Sequence, residues 1–298
     1  MSEATYVMLP ERGLVTVAGE DRAEFLQGLI SNDITHIGPA RVIWAALLTP
    51  QGKYLHDFFV TEMNGTIYLD CEADRLMDLG QRLSRYKLRA RVDLGMAKDF
   101  IVAVMPGTIA LGRLGLSDEA GAAAAFGGGI VYADPRLAQA GARAILPKAG
   151  GEAALRDAGF TAGDRDEYDT LRLALGLSDG SRDLIVEKSI LLESNFDELH
   201  GVDWDKGCYM GQELTARTKY RGLIKKRLMP VDIDGEIPPP GTPVTLAGKD
   251  VGELRSARDG KGLALLRLEQ VERVLAGDGE FVSGGARLTP RKPDWAAY

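Results

Sequence analysis

Soft metal ligands are scarce here: the 298 residues hold two cysteines, Cys71 and Cys208, and three histidines, His36, His56 and His200. The cysteines lie far apart and form no CxxC pair, which excludes a disulfide framework and any zinc or cluster site completed by this chain alone. The histidines show neither HExxH nor His-x-His spacing, so a self-contained metal enzyme is not expected. Surplus positive charge is missing too. A net charge of −7 gives no general attraction to phosphate backbones or anionic lipid, and neither nucleic acid nor membrane is expected as a direct partner. Residues 1–10 contain no basic segment followed by an apolar one, and no run reaches membrane-spanning length. Together with two free thiols, these absences point to a cytoplasmic protein.

What is present is an ordinary globular composition, 45% apolar and 27% charged, in a chain long enough for about two domains. Gly13–Val17 reads as a strand, followed by a helix through Ala23, Phe25, Leu26 and Leu29 that Asn32-Asp33 closes. Residues 41–48 form an apolar run of buried-strand length. Asn64-Gly65 between two β-rich runs predicts a hairpin. Leu76, Leu79 and Leu83 mark an amphipathic helix over 74–86, whose end carries Arg82, Arg85, Lys87, Arg89 and Arg91. Residues 107–129 read as loops with one short helix, 142–147 as an edge strand, and 151–159 and 165–175 as helices. After Gly222, short apolar runs separated by Gly, Pro and Asp predict a small all-β module, with Pro238-Pro239-Pro240-Gly241 as a stiff turn inside it. The domains are therefore expected over 1–221 and 222–298.

Chemistry concentrates in Lys206-Gly207-Cys208-Tyr209-Met210-Gly211-Gln212-Glu213. A thiol beside a glycine leaves room for a ligand or partner, and a cation or helix start near the sulfur favours thiolate. Gln212-Glu213-Leu214 reads as that helix start. The plain alternative is a small buried hydrophobe, although the polar, glycine-rich surroundings fit a surface turn better.

This segment, continued by Leu214-Thr215-Ala216-Arg217, resembles the signature of the folate-binding YgfZ/Iba57-type proteins. The resemblance extends to Asp21-Arg22 with Phe25-Leu26-Gln27-Gly28, to Ser31-Asn32-Asp33-Ile34, to Thr49-Pro50-Gln51-Gly52-Lys53 and to Tyr86-Lys87-Leu88-Arg89. That family is similar to the aminomethyltransferase (T-protein) of the glycine cleavage system. The resemblance implies an α+β fold, an aminomethyltransferase-like multi-domain ring with a small C-terminal β-barrel. It also implies a tetrahydrofolate-binding accessory protein for assembly or repair of [4Fe-4S] clusters, including those of radical enzymes that modify tRNA. A-type iron-sulfur carriers and [4Fe-4S] client enzymes would be its partners.

By the same resemblance Cys208 and Lys206 carry the reactive role, with Cys208 as a transient or shared cluster ligand and no other metal ligand in the chain. Folate contacts fall on Asp57, Arg89, Glu193, Asn195, Tyr209, Gln212 and Glu213, with Arg85 and Lys87 as further candidates for the glutamate tail or as a solvated helix end. His56 and His200 are expected at the surface. Two departures weigh against classical aminomethyl transfer: Ala174 stands where the transferase carries a pterin-binding glutamate, and His56-Asp57 replaces paired aspartates. Two alternatives stay open, a tetrahydrofolate-dependent aminomethyltransferase or demethylase and a folate-independent adaptor for cluster carriers.

Overall fold

The computed structural model describes residues 4–222 and 224–298, which divide into two compact units. The first comprises Met1–Leu48, Leu55–Arg165 and Leu199–Met210; the second comprises Thr49–Tyr54, Asp166–Glu198 and Gly211–Tyr298.

The first unit is built on two sheets. One runs in the order Ile43–Leu48, Tyr54–Met63, Thr66–Glu72, Arg12–Ala18, Asp93–Met96. Its hairpin turns at Asn64 (φ +51°) and Gly65 (φ +75°), the positive-φ pair a two-residue primed turn demands. The other sheet runs Thr161–Ala162, Thr5–Met8, Phe100–Pro106, Gly141–Pro147, Gly129–Ala133, Ala123–Phe126. Its core gathers Tyr6, Met105, Leu111, Leu146, Leu155 and Phe160. Helix Leu76–Lys87 buries Leu79 and Leu83, each contributing roughly 1.5–3 kcal/mol, while its charged residues stay outside.

Three local expectations change. Helix Arg22–Gln27 ends at Gly28, before Asn32. Residues 141–147 are an internal strand, hydrogen-bonded on one side to Phe100–Pro106 and on the other to Gly129–Ala133. Within 107–129, read as loops with one short helix, Ala123–Phe126 forms a strand paired with Gly129–Ala133 through Gly127 and Gly128, both at positive φ. Two consecutive left-handed residues are what a tight hairpin needs, and only glycine adopts them without strain; the turn therefore overrides the helical preference of alanine.

In the second unit, Lys226–Asp234, Lys261–Arg267, Lys249–Arg258, Pro243–Leu246, Phe281–Ser283 and Ala286–Pro290 close into a six-stranded barrel. Met229, Val231, Leu254, Leu266, Phe281 and Leu288 fill it, and closure leaves no strand edge unpaired. Helix Arg165–Leu175 buries Arg172, whose guanidinium bonds Asp169 at 2.5 Å, Asp183 at 2.9 Å and Ser256 Oγ at 3.1 Å. A buried arginine is tolerable only with its donors met in this way. Among the described residues no helix is long and apolar enough to cross a membrane.

Candidate functional site

Cys208 is exposed on a turn pinned at both ends within the first unit. The Asp203 N–H donates to the Ser31 carbonyl at 3.1 Å, and the Met210 N–H to the Gly28 carbonyl at 3.0 Å. Between them Asp203 Oδ1 accepts from the backbone N–H groups of Asp205 (2.8 Å) and Lys206 (2.9 Å), the side-chain-to-backbone pattern that reverses a chain.

Lys206 completes the arrangement. Its Nζ donates to the carbonyl oxygens of Gln27 (2.9 Å), Ile30 (2.7 Å) and Asn32 (2.8 Å). Helix Arg22–Gln27 ends here, where carbonyls lack intrahelical partners and a cation is favoured. The Lys206 ammonium also lies 5.1 Å from the centroid of the buried Tyr209 ring, within cation–π range. Burial lowers its pKa to about 8, against the pull of Asp33 and Asp203. Three ammonium protons meet three carbonyls, so Lys206 acts as a clamp that positions the turn, a different role from the thiol activation expected of it. Tyr209 packs beneath it as a buried ring.

Cys71 is buried, and desolvation pushes its thiol up to about 12. Its sulfur is inert at neutral pH, leaving Cys208 as the exposed thiol.

Beside the turn the same unit holds a cavity of about 410 Å3, lined among others by Asn32, His36, Trp44, His200 and Asp203. Asp33, His36 and Asp203 place ligand atoms within 4.8 Å of one another on its flank, with His36 Nδ1 3.5 Å from Asp203 Oδ2. Oxygen and imidazole donors suit a divalent cation better than a thiolate-bound cluster. Spacing along the chain could not reveal this trio, because Asp203 comes from a distant segment; the Asp33–His36 interval is the only local signal.

His56 and Asp57 are neighbours on strand Tyr54–Met63 and so face opposite ways. Asp57 is buried and accepts from Trp44 Nε1 at 3.0 Å. His56, expected at the surface, is buried with Nε2 2.7 Å from Asp78 Oδ2. Desolvation, helped by Arg75, lowers its pKa to about 4, so the imidazole is neutral at pH 7. His200 is exposed, and Arg89 is exposed beyond the end of helix Leu76–Lys87.

In the second unit, Glu193 and Asn195 flank the end of a short 3-10 turn, Leu191–Ser194. Glu193 is half-buried, and desolvation raises its pKa despite Lys226, Lys53 and Arg255 nearby. Asn195 is fully buried at φ +64°. Its amide donates to the Leu228 carbonyl at 2.7 Å and accepts from Arg227 at 3.3 Å, and Arg227 in turn holds Asp197 at 2.6 Å. Both ends of the Asn195 amide thus hold a protein partner. Gln212 and Glu213 open helix Gln212–Tyr220 behind Gly211, at φ +79°; the Glu213 side chain is exposed, 3.7 Å from Arg217.

Comparison with known proteins accords with this construction. Residues 225–298 match the family model of the CAF17 C-terminal β-barrel domain. The chain is 33% identical over 315 residues to the mitochondrial iron-sulfur cluster assembly factor IBA57 of Mus musculus, spanning 98% of this chain and 85% of that protein. To its Homo sapiens counterpart it is 35% identical, over 96% of this chain and 84% of that protein. The crystal structure of glycine cleavage system aminomethyltransferase T from Bartonella henselae superposes with a TM-score of 0.77 at 14% identity, covering 99% of this chain and 86% of that one. That likeness establishes the aminomethyltransferase-like fold with its terminal barrel. The cytoplasmic expectation is overturned, since these relatives are named as mitochondrial; free thiols indicate a reducing compartment without saying which one. At this identity and near-complete coverage, the chain belongs to the IBA57 family of iron-sulfur cluster assembly factors.

Proposed function

We propose that this chain serves assembly or repair of [4Fe-4S] clusters by offering the Cys208 thiolate to a cluster that a partner protein carries. The observation that carries this reading is the contrast between two sulfurs: Cys208 is exposed on a turn clamped by Lys206, whereas Cys71 is sealed in the core. One accessible thiolate cannot encase a four-iron cluster, for which four are usual, so the remaining ligands come from the partner. A-type cluster carriers supply the cargo and [4Fe-4S] enzymes receive it, radical enzymes that modify tRNA among them.

Tetrahydrofolate is proposed as a bound cofactor, and the donor set fits it in part. Glu193 keeps a half-buried carboxyl whose oxygens can accept from the N–H edge of a pterin, whereas the Asn195 amide holds protein partners. Bound folate would stabilise the native state by linkage.

The test is complementation of a deletion strain with Cys208→Ala at wild-type protein level. Activity of [4Fe-4S] enzymes should stay near that of the deletion. Full restoration would sink the thiolate role, and absence of thermal stabilisation by tetrahydrofolate would sink the folate part alone.

A further inference from the structure

Helix Leu76–Lys87 ends on a side chain that is doubly out of place. Leu88, its C-cap residue, sits at φ +41° and ψ −107° and is 89% exposed. A branched residue at positive φ is strained, and strain that persists points to a function. Leaving the same leucine in water forgoes its burial as well.

Charge around it is equally unspent. Arg82 bonds Asp78, and Arg91 bonds Asp21. Among the described residues no hydrogen bond or ion pair engages the side chains of Arg85, Lys87 or Arg89. A chain of net charge −7 therefore concentrates three uncommitted cations around one exposed leucine. Tyr86, 40% exposed, lines a cavity of about 390 Å3 together with Asp21, Glu24, Phe25, Gly28 and Leu29.

That cavity leads back to the thiol. Gly28 in its wall accepts from the Met210 N–H, and Lys206 grips the carbonyls of Gln27 and Ile30 on either side of it. A single loop thus lines the cavity beside Tyr86 and supports the turn that presents Cys208.

We propose that Leu88, with Tyr86 and the cations Arg85, Lys87 and Arg89, is the docking surface for the cluster-bearing protein, which meets it with an apolar pocket rimmed by carboxylates. This rests on the reading of Cys208 as a thiolate shared with a partner, and adds where that partner binds. An acidic protein fits the features together: its pocket buries the leucine, and its rim meets the cations. A folate oligoglutamate tail would satisfy the cations and leave Leu88 in water.

The experiment is calorimetric titration of the full chain with a purified A-type cluster carrier, cluster-free so that docking is read apart from metal. Leu88→Gly should weaken binding about tenfold, as loss of an interface anchor does, while raising the melting temperature because the strain is relieved. Combined reversal of Arg85, Lys87 and Arg89 to glutamate should weaken it more and invert its salt dependence, since carboxylates would then face carboxylates and added salt would screen the repulsion. Cys208→Ser should dock the cluster-free carrier within about threefold of wild type. Wild-type binding by Leu88→Gly, or no binding of the carrier by the unmodified chain, overturns the proposal. So does uptake by phosphatidylglycerol vesicles that depends on Leu88. Docking lost in Cys208→Ser also overturns the surface while leaving the shared thiolate standing. Docking lost in Leu88→Gly with full enzyme restoration by Cys208→Ala keeps the surface and sinks the thiolate.

Discussion

Lys206 Nζ lies 2.7 Å from the carbonyl oxygen of Ile30, a residue 176 positions earlier in the chain, and the same ammonium serves Gln27 and Asn32. Long-range closure of this kind holds an exposed turn rigid without burying it. Lys206→Met strands these carbonyls in partly buried surroundings and should destabilise the chain by roughly 3 kcal/mol. Denaturant unfolding measures the loss, and limited proteolysis should now cut between 203 and 210. Lys206→Arg should not rescue, since a planar guanidinium cannot reach three converging carbonyls as a compact ammonium does. Full rescue by arginine would contradict the clamp.

His56 sets an acid limit. Its folded pKa, about 4, lies below the unfolded value near 6.5, so between these pH values the unfolded chain binds the extra proton. Its stability contribution is complete above about pH 6.5 and is lost as pH falls toward 4, reaching about 3 kcal/mol. Unfolding free energy measured from pH 7 to 4 should show this slope, and His56→Asn should flatten it. An unchanged slope would mean that other groups carry the acid sensitivity.

Glu193 and Asn195 should respond in opposite ways although two positions separate them. Glu193→Gln should weaken tetrahydrofolate binding about tenfold while leaving the melting temperature of the unliganded chain within about two degrees. Asn195→Ala leaves the Leu228 carbonyl without its donor and should cost about 2 kcal/mol of stability. Thermal melts with and without ligand separate the two effects. Equal loss of stability in both variants would place Glu193 in the structure as well.

How much was legible follows from where each signal resides. Asn64-Gly65 announced its hairpin because the turn chemistry sits in those two residues. The strand at Ala123–Phe126 was hidden because alanine favours helix and the deciding feature, pairing with Gly129–Ala133, lies outside the run. The Cys208 turn was readable from its own polar, glycine-rich neighbours. The task of Lys206 was not, since its targets are backbone carbonyls of other residues, which leave no mark on side-chain identity. The partners of Asn195 and the grouping of Asp33, His36 and Asp203 likewise exist only after folding.

The sealing of Cys71 makes the folded chain chemically monofunctional toward sulfur reagents. An alkylating dye or a bifunctional cross-linker applied under native conditions reports on position 208 alone, with no background from a second site. The wild-type molecule is its own single-cysteine variant, ready for spin labelling or for trapping a partner as a mixed disulfide.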